Sequence, residues 1–226
     1  MVMESKICVL IPSYNEAKTI GCMVKQLRRR QMIVYVVDDG STDGTAEKAR
    51  AEGAIVVVHH KNMGKGASLI EGFKHVLKKD FDAVMVMDGD GQHSIDDIDN
   101  FLKKYKETGA DIILGNRMLN TASMPYVRLH TNRFMSWLLS RIAGQDMPDT
   151  QCGFRLIKKA VLQKVKLESR RYDAESELII KASRLGFKIE SVAVRTVYQG
   201  EVSRINPVFD TLRFMVLLAK IMFRRQ

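Results

Sequence analysis

Cysteine is scarce in this sequence, and the three cysteines present are far apart. Cys8, Cys22 and Cys152 form neither a CxxC pair nor an even, closely spaced set. This spacing argues against a disulfide framework and against a zinc site of the CxxC type. We therefore expect a reducing, cytoplasmic setting.

Long apolar runs are also lacking. No run approaches the roughly 20 residues that span a bilayer, and the N-terminus lacks the succession of basic, apolar and small residues that marks a secretory signal. A chain of 226 residues is nevertheless long enough to bury a full core. We expect one domain with short appendages and no transmembrane helix.

Acidic residues are fewer than basic ones. The sequence has 26 Asp and Glu against 36 Lys and Arg, which gives a net charge of +10. This surplus predicts an anionic partner, and charge alone does not choose among a nucleic acid, a phosphorylated substrate and an acidic membrane. A nucleic-acid-binding protein is disfavoured because no recognition-helix, RRM or zinc-finger pattern is present.

Short β-rich runs alternate with stretches in which apolar residues recur at helical spacing. The runs typical of strands lie at 7–11, 33–37, 55–58, 83–87, 111–114 and 187–194. Strands that alternate with helices predict an α/β fold with a mainly parallel sheet, flanked by helices and wound by right-handed crossovers.

The run at 83–87 ends in two carboxylates, Asp88 and Asp90, that alternate with glycines. A buried strand would deliver both to the carboxyl end of the sheet, where α/β folds bind ligands. Two carboxylates one residue apart suit a hard divalent cation that also binds substrate phosphates. An EF-hand loop is disfavoured because Gln92 and His93 replace its required residues. A simple turn remains the alternative.

Two further strand ends carry candidate groups. Asp38 and Asp39 follow the run at 33–37 and would repel one another unless a base or ribose bridged them. The segment 62–66 is not a P-loop, because Gly66 stands where Ser or Thr is required.

Two basic and apolar segments are candidates for membrane contact. Residues 125–144 have the pattern of a long helix that combines arginines with aromatic and aliphatic residues, so it is either core or a membrane-lying helix. Residues 207–226 are too few to span a bilayer and suit an interfacial anchor. We therefore divide the chain into a domain at 1–206 and an anchor at 207–226, with membrane contacts predicted at 126–145 and 207–226.

Six motifs, taken in order, resemble those of family 2 glycosyltransferases, and within that family the polyprenyl-phosphate (dolichyl-phosphate) mannosyl- and glucosyltransferases. The resemblance covers roughly residues 6–210, and its motifs lie at 11–16, 37–45, 62–66, 88–93, 115–117 and 149–155. It implies a GT-A (Rossmann-like) fold, a nucleotide-diphosphate sugar donor, Mg or Mn, and inversion at the anomeric carbon.

The resemblance also implies roles for individual residues. It assigns to the donor's nucleoside Pro12, Tyr14, Glu16 and Asp39, and to the rest of the donor Lys65, Asp88 and Gly89. The implied metal shell is Asp88, Asp90 and Gln92. The cations implied for the acceptor phosphate and the donor diphosphate are Arg117, Arg133 and Arg204. The candidate catalytic residues are Asp90, Arg117, Asp149 and Glu175.

The expected reaction moves a hexose from a UDP-glucose-like donor or GDP-mannose to a polyprenyl or dolichyl phosphate. A phosphate monoester has a second pKa near roughly 6, so it is already anionic and needs no strong general base. Asp149 and Glu175 would then place cations or sugar hydroxyls. A hydroxyl acceptor would instead require one of them as the base, and nucleotidyl transfer is a further alternative. Within the resemblance, residues 150–154 are closer to the dolichyl-phosphate glucosyltransferases than to the mannosyl enzymes, which implies a mild preference for a UDP-sugar. We expect peripheral attachment to the cytoplasmic face of the membrane, and the oligomeric state is left open.

Overall fold

The computed structural model describes residues 6–119, 121 and 124–196. Arg204 and the predicted anchor at 207–226 lie outside the described residues. The strands are β1 Ile7–Ser13, β2 Ile33–Asp38, β3 Ile55–Val58, β4 Ala83–Val86, β5 Ile112–Asn116, β6 Arg155–Lys158 and β7 Ile189–Ala193. The helices are α1 Ile20–Arg29, α2 Thr45–Ala51, α3 Lys65–Leu77, α4 Ile98–Thr108, α5 Tyr126–Ala143, α6 Lys159–Lys164 and α7 Asp173–Arg184.

These strands form one sheet in the order β3-β2-β1-β4-β6-β5-β7. All neighbours pair in parallel except β6, which runs antiparallel to both β4 and β5. The six predicted strands are confirmed, whereas β6 was not predicted. Because β6 is reversed, the loop that precedes it reaches the same edge as the carboxyl ends of β1, β2 and β4.

Alternate residues of the central strands enter two separate apolar cores, one on each face of the sheet. Cys8 and Leu10 of β1 belong to the core that α3, α5, α6 and α7 cover. Val9 and Ile11 belong to the opposite core, beneath α1, α2 and α4. The near-continuous apolar runs of the sequence therefore reflect strands buried on both faces, as in other parallel sheets.

Helix α5 has one face in the core and one in solvent. The buried side chains on it are Asn132, Met135, Ser136 and Leu139. Large apolar side chains remain exposed on its other side, including Tyr126, Phe134 and Trp137. The inner face of this helix is therefore core, and membrane contact of its exposed outer face stays a prediction. Among the described residues, no helix combines the length and apolar character needed to cross a membrane.

Candidate active site

The candidate site lies at the edge of the sheet where β1, β2 and β4 end. Asp39 follows β2, Asp88 follows β4, and the loop 149–154 leads into β6 at the same edge. Ligands of open α/β sheets bind at this end of the strands. The structure therefore brings together motifs that lie more than 100 residues apart in the sequence.

Lys65 lies between two carboxylates at the start of α3. Its Nζ is 2.6 Å from Asp88 Oδ1 and 3.1 Å from Glu175 Oε2. Burial acts to lower the pKa of Lys65, but the two carboxylates outweigh it and hold the pKa well above its ordinary value. Burial likewise acts to raise the pKa of Asp88, but its contacts with Lys65 and His93 outweigh burial and hold the pKa well below its usual range.

Asp90 has the opposite electrostatic setting. Burial, and then the charge of Asp88, raise the pKa of Asp90, while the backbone amide of Gln92 donates to its Oδ1 at 2.9 Å. A divalent cation would relieve the cost that the charge of Asp88 imposes on a charged Asp90. In the described part of the chain, no group of three or more His, Cys, Asp and Glu side chains is arranged to hold a metal. Asp88, Asp90 and Gln92 therefore fit a Mg²⁺-like ion only if substrate oxygens complete its shell, as is usual for that ion.

The loop before β6 forms the surface against which Asp88 rests. A Cβ built on Gly153 would collide with the carboxylate of Asp88, so the loop can come this close only with glycine at this position. On the other side, His93 Nε2 lies 3.4 Å from Asp88 Oδ2, and the His93 ring packs against Phe154 at 5.2 Å. Asp88 is thus held by groups from β4, α3 and the β6 loop together.

Asp39 is buried and already binds three donors. His59 Nδ1 lies 2.7 Å from Asp39 Oδ1, the Met63 amide donates to Oδ1 at 2.9 Å, and the Gly64 amide donates to Oδ2 at 2.7 Å. Its neighbour Asp38 accepts instead from the amide of Ser41. The two carboxylates are therefore compensated separately by hydrogen bonds. The part played by His59 was not predicted, although its place at the end of β3, beside β2, is a signal that could have found it.

Arg117 and Asp149 form a buried, two-pronged ion pair. Arg117 Nε donates to Asp149 Oδ2 at 2.7 Å and Nη2 donates to Oδ1 at 2.9 Å. Asp149 is fully buried. Burial acts to lower the pKa of Arg117, but its neighbours, Cys152 first and then Asp149 and Asp88, raise it well above its ordinary value. Arg117 is therefore a fixed cation, and Asp149 is the group that fixes it.

Arg155 joins the β6 loop to α7. Its guanidinium donates to the carbonyls of Cys152 at 2.8 Å, Thr150 at 2.9 Å and Glu175 at 2.9 Å. Its Nη2 also lies 3.7 Å from Glu175 Oε1. Glu175 therefore faces two cations, Lys65 and Arg155. The sequence motif ended at Arg155, but no role had been predicted for that residue.

The remaining predicted residues are distributed as follows. Pro12 is buried within β1, Tyr14 is exposed and Glu16 is half-buried in the turn that follows. A Cβ on Gly89 would lie 2.6 Å from Ser13 Oγ, which shows how closely the metal-site loop approaches the end of β1. Arg133 is exposed on the outer side of α5.

Comparison with known proteins defines the class to which this fold and site belong. Residues 8–166 match the family described as Glycosyl transferase family 2. The chain belongs to this family and is a glycosyltransferase. This agrees with the predicted reaction class rather than with the alternative of nucleotidyl transfer.

Two relatives and one solved structure illustrate the similarity. The undecaprenyl-phosphate mannosyltransferase of Micrococcus luteus is 31% identical, over 85% of this chain and 84% of its own length. The UDP-N-acetylglucosamine--dolichyl-phosphate N-acetylglucosaminyltransferase of Methanococcus voltae is 28% identical, over 86% of this chain and 87% of its own length. Glucosyl-3-phosphoglycerate synthase of Mycobacterium tuberculosis, in complex with Mn²⁺, UDP and phosphoglyceric acid, has a TM-score of 0.69 at 21% identity, covering 93% of this chain and 74% of that one. The predicted GT-A fold is confirmed.

Proposed function

We propose that the protein transfers a hexose from a nucleotide-diphosphate sugar to a polyprenyl phosphate, with inversion at the anomeric carbon. The observation that carries this proposal is that both candidate bases are engaged with cations. Asp149 is fully buried against Arg117, and Glu175 faces Lys65 and Arg155. Because neither of these two candidate bases is free, the described part of the site favours an acceptor that is anionic before it reacts, as a phosphate monoester is.

The relatives support the same acceptor class. One is named for undecaprenyl phosphate and the other for dolichyl phosphate, and both match more than four fifths of this chain. We therefore assign the acceptor as a polyprenyl or dolichyl phosphate. The donor is a UDP- or GDP-hexose.

In the proposed mechanism each side chain positions or neutralises a charge. Asp39 binds the base, and Asp88, Asp90 and Gln92 would hold Mg²⁺ or Mn²⁺. When bound, that ion neutralises charge on the leaving diphosphate. Lys65 provides a buried positive charge beside Asp88, where the diphosphate would lie. The acceptor's own phosphate oxygen then attacks the anomeric carbon.

Arg117 supplies the second fixed charge. Its fork-like contact with Asp149 holds the guanidinium in one orientation, and it lies near enough to Asp88 for that carboxylate to raise its pKa. A cation that is oriented before the reaction stabilises developing negative charge without reorganisation during the step. Arg133, on the outer side of α5, and Arg204 remain proposed ligands of the acceptor phosphate.

We assign the outer face of α5 to the membrane surface. Trp137 lies 6.1 Å from Phe134 and 6.0 Å from the guanidinium of Arg141, measured from the ring centroid. The helix contains no acidic residue from Tyr126 to Ala143. An aromatic and cationic face suits the boundary of an anionic bilayer, where each cation contributes about 1 kcal/mol. Peripheral attachment to the cytoplasmic face follows from this proposal, with 207–226 as a second, predicted contact.

The test is to replace Glu175 by Gln, because Glu175 is the partly accessible candidate base. We expect turnover to stay within about tenfold of the wild type, since a general base contributes typically 10²–10⁴-fold and none is required here. Release of nucleoside diphosphate is measured with Mn²⁺, UDP- or GDP-hexose and a short polyprenyl phosphate. Glu47→Gln, an exposed change on α2, is the matched control.

Two results would contradict the proposal. One is a loss of 10² or more in turnover for Glu175→Gln with donor binding retained, which would indicate a hydroxyl acceptor. The other is the absence of a lipid-linked sugar phosphate among the products. In that second case, release of pyrophosphate instead of nucleoside diphosphate would indicate nucleotidyl transfer.

A further inference from the structure

The carboxylate proposed to bind the nucleobase has little hydrogen-bonding capacity left. A carboxylate accepts about four hydrogen bonds, two on each oxygen. Oδ1 of Asp39 already accepts from His59 and from the Met63 amide, and Oδ2 accepts from the Gly64 amide. Counting the donors within the described ranges, one acceptor position therefore remains, on Oδ2.

The three donors are fixed in place by the fold. The amide of His59 donates to the carbonyl of Asp38 at 2.8 Å, which ties the end of β3 to the end of β2. The side chains of His59 and Asp39 are only 11% and 4% exposed. A base that needed both oxygens would have to expel the imidazole and leave its buried N–H without a partner, which costs about 1–3 kcal/mol.

Nucleobases differ in the number of donors that they bring to such a carboxylate. Uracil has a single ring N–H, flanked by two carbonyl groups, whereas guanine presents a ring N–H and an amino group side by side. One remaining acceptor position matches the uracil edge and leaves one guanine donor unpaired. Sites that leave a buried polar group unpaired discriminate strongly between ligands.

We propose that His59 sets the base selectivity of the donor site. By occupying Oδ1, it restricts Asp39 to one incoming donor and selects a uridine nucleotide over a guanosine nucleotide. His59 is a positioning residue, since it acts through Asp39. This inference rests on the proposed function, in which Asp39 binds the base, and it narrows the donor to a UDP-sugar.

The test compares the binding of UDP and GDP to the full chain by calorimetry with Mn²⁺ present. We expect the wild type to bind UDP at least about tenfold more tightly than GDP. His59→Phe keeps a ring but removes the donor, so the preference should fall about fivefold or more through tighter GDP binding. His59→Asn places an amide N–H on the same side-chain atom position and should retain the preference. His60→Phe, at the exposed neighbour, is the matched control.

Each contrary outcome has a separate meaning. Tighter binding of GDP than of UDP by the wild type would overturn the inference and leave the proposed transfer reaction intact. An unchanged ratio in folded His59→Phe, with both affinities reduced alike, would assign His59 a merely structural role. If neither nucleotide binds and no sugar is transferred, both the inference and the proposed function fail.

Discussion

At the scale of single residues, the close contact of Gly153 with Asp88 predicts the effect of a substitution at Gly153. Gly153→Ala would displace the Asp88 carboxylate from its position beside Lys65, since the new methyl group would overlap with it. Overpacking of this kind costs typically about 1–3 kcal/mol. We expect Mn²⁺-dependent binding of UDP to weaken about tenfold or more, measured by calorimetry.

The control for this change is Gly21→Ala in α1, where the nearest atom to an added Cβ is 3.9 Å away. Alanine in a helix interior is more favourable than glycine, so Gly21→Ala should bind UDP normally and melt slightly higher. Unaltered UDP binding by a folded Gly153→Ala variant would show that the position of Asp88 is not important for the donor.

The sequence predicts the chemistry of such residues better than their contacts. Asp88 and Asp90 stand out because they end an apolar run, and that signal is local. The contact of Gly153 with Asp88 joins positions 65 residues apart, and the contact of His59 with Asp39 joins two separate strands. Contacts of this kind depend on strand order, which spacing along the chain does not determine.

At the scale of elements, Arg155 is the residue that connects β6 to its surroundings. Arg155→Met preserves length and apolar packing but leaves three backbone carbonyls without their donor. At about 1 kcal/mol for each hydrogen bond, the free energy of unfolding should fall by about 3 kcal/mol. Urea denaturation measures this as a lower midpoint.

Two further variants decide whether the loss comes from those hydrogen bonds. In Arg155→Lys the lysine reaches fewer carbonyls than arginine does, so its free energy of unfolding should lie between those of Arg155→Met and the wild type. Arg50→Met, on an exposed and weakly paired arginine of α2, should change stability by less than about 0.5 kcal/mol. Equal stability of the Met variant and the wild type would contradict this account of β6.

Strand β6 is also the strand that the sequence did not predict. The other strands were recognised because they are apolar runs, and those of the central sheet are buried on both faces. Strand β6 has the sequence Arg-Leu-Ile-Lys, with a charged residue at each end and only two apolar residues. Its burial is possible because Arg155 donates to the carbonyls of Cys152 and Thr150 in the preceding loop and of Glu175 in α7. The pattern of a four-residue strand does not predict that these three carbonyls converge on one side chain.

At the scale of the whole molecule, the outer face of α5 predicts how the protein partitions between water and membrane. Phe134→Ser combined with Trp137→Ser removes two half-exposed aromatic rings. Moving a large apolar side chain fully out of water contributes about 1.5–3 kcal/mol to the free energy of binding. We expect binding to phosphatidylserine vesicles to fall at least about tenfold in co-sedimentation. Binding of the wild type should also weaken as salt is raised, because surface charges are screened.

The matched control is Ile55→Ser, which removes an apolar side chain of similar exposure from β3. It should leave vesicle binding unchanged if the effect belongs to α5 and not to surface hydrophobicity in general. Unchanged sedimentation of the α5 double variant would exclude this helix as the membrane contact.

The reversed strand β6 also bears on the order in which the chain acquires its structure. Strand β6 pairs with β4 but lies about 70 residues further along the chain. At ordinary rates of synthesis it therefore leaves the ribosome roughly 3–14 s after β4. During that interval β1, β2, β3 and β4 can associate, but one side of β4 stays uncovered and Asp88 has no Gly153 to rest against. Pairing over such a long separation is slow and leaves an open edge prone to misassociation. A nascent chain of this protein therefore becomes competent to hold its donor only after the second half of the sheet has closed.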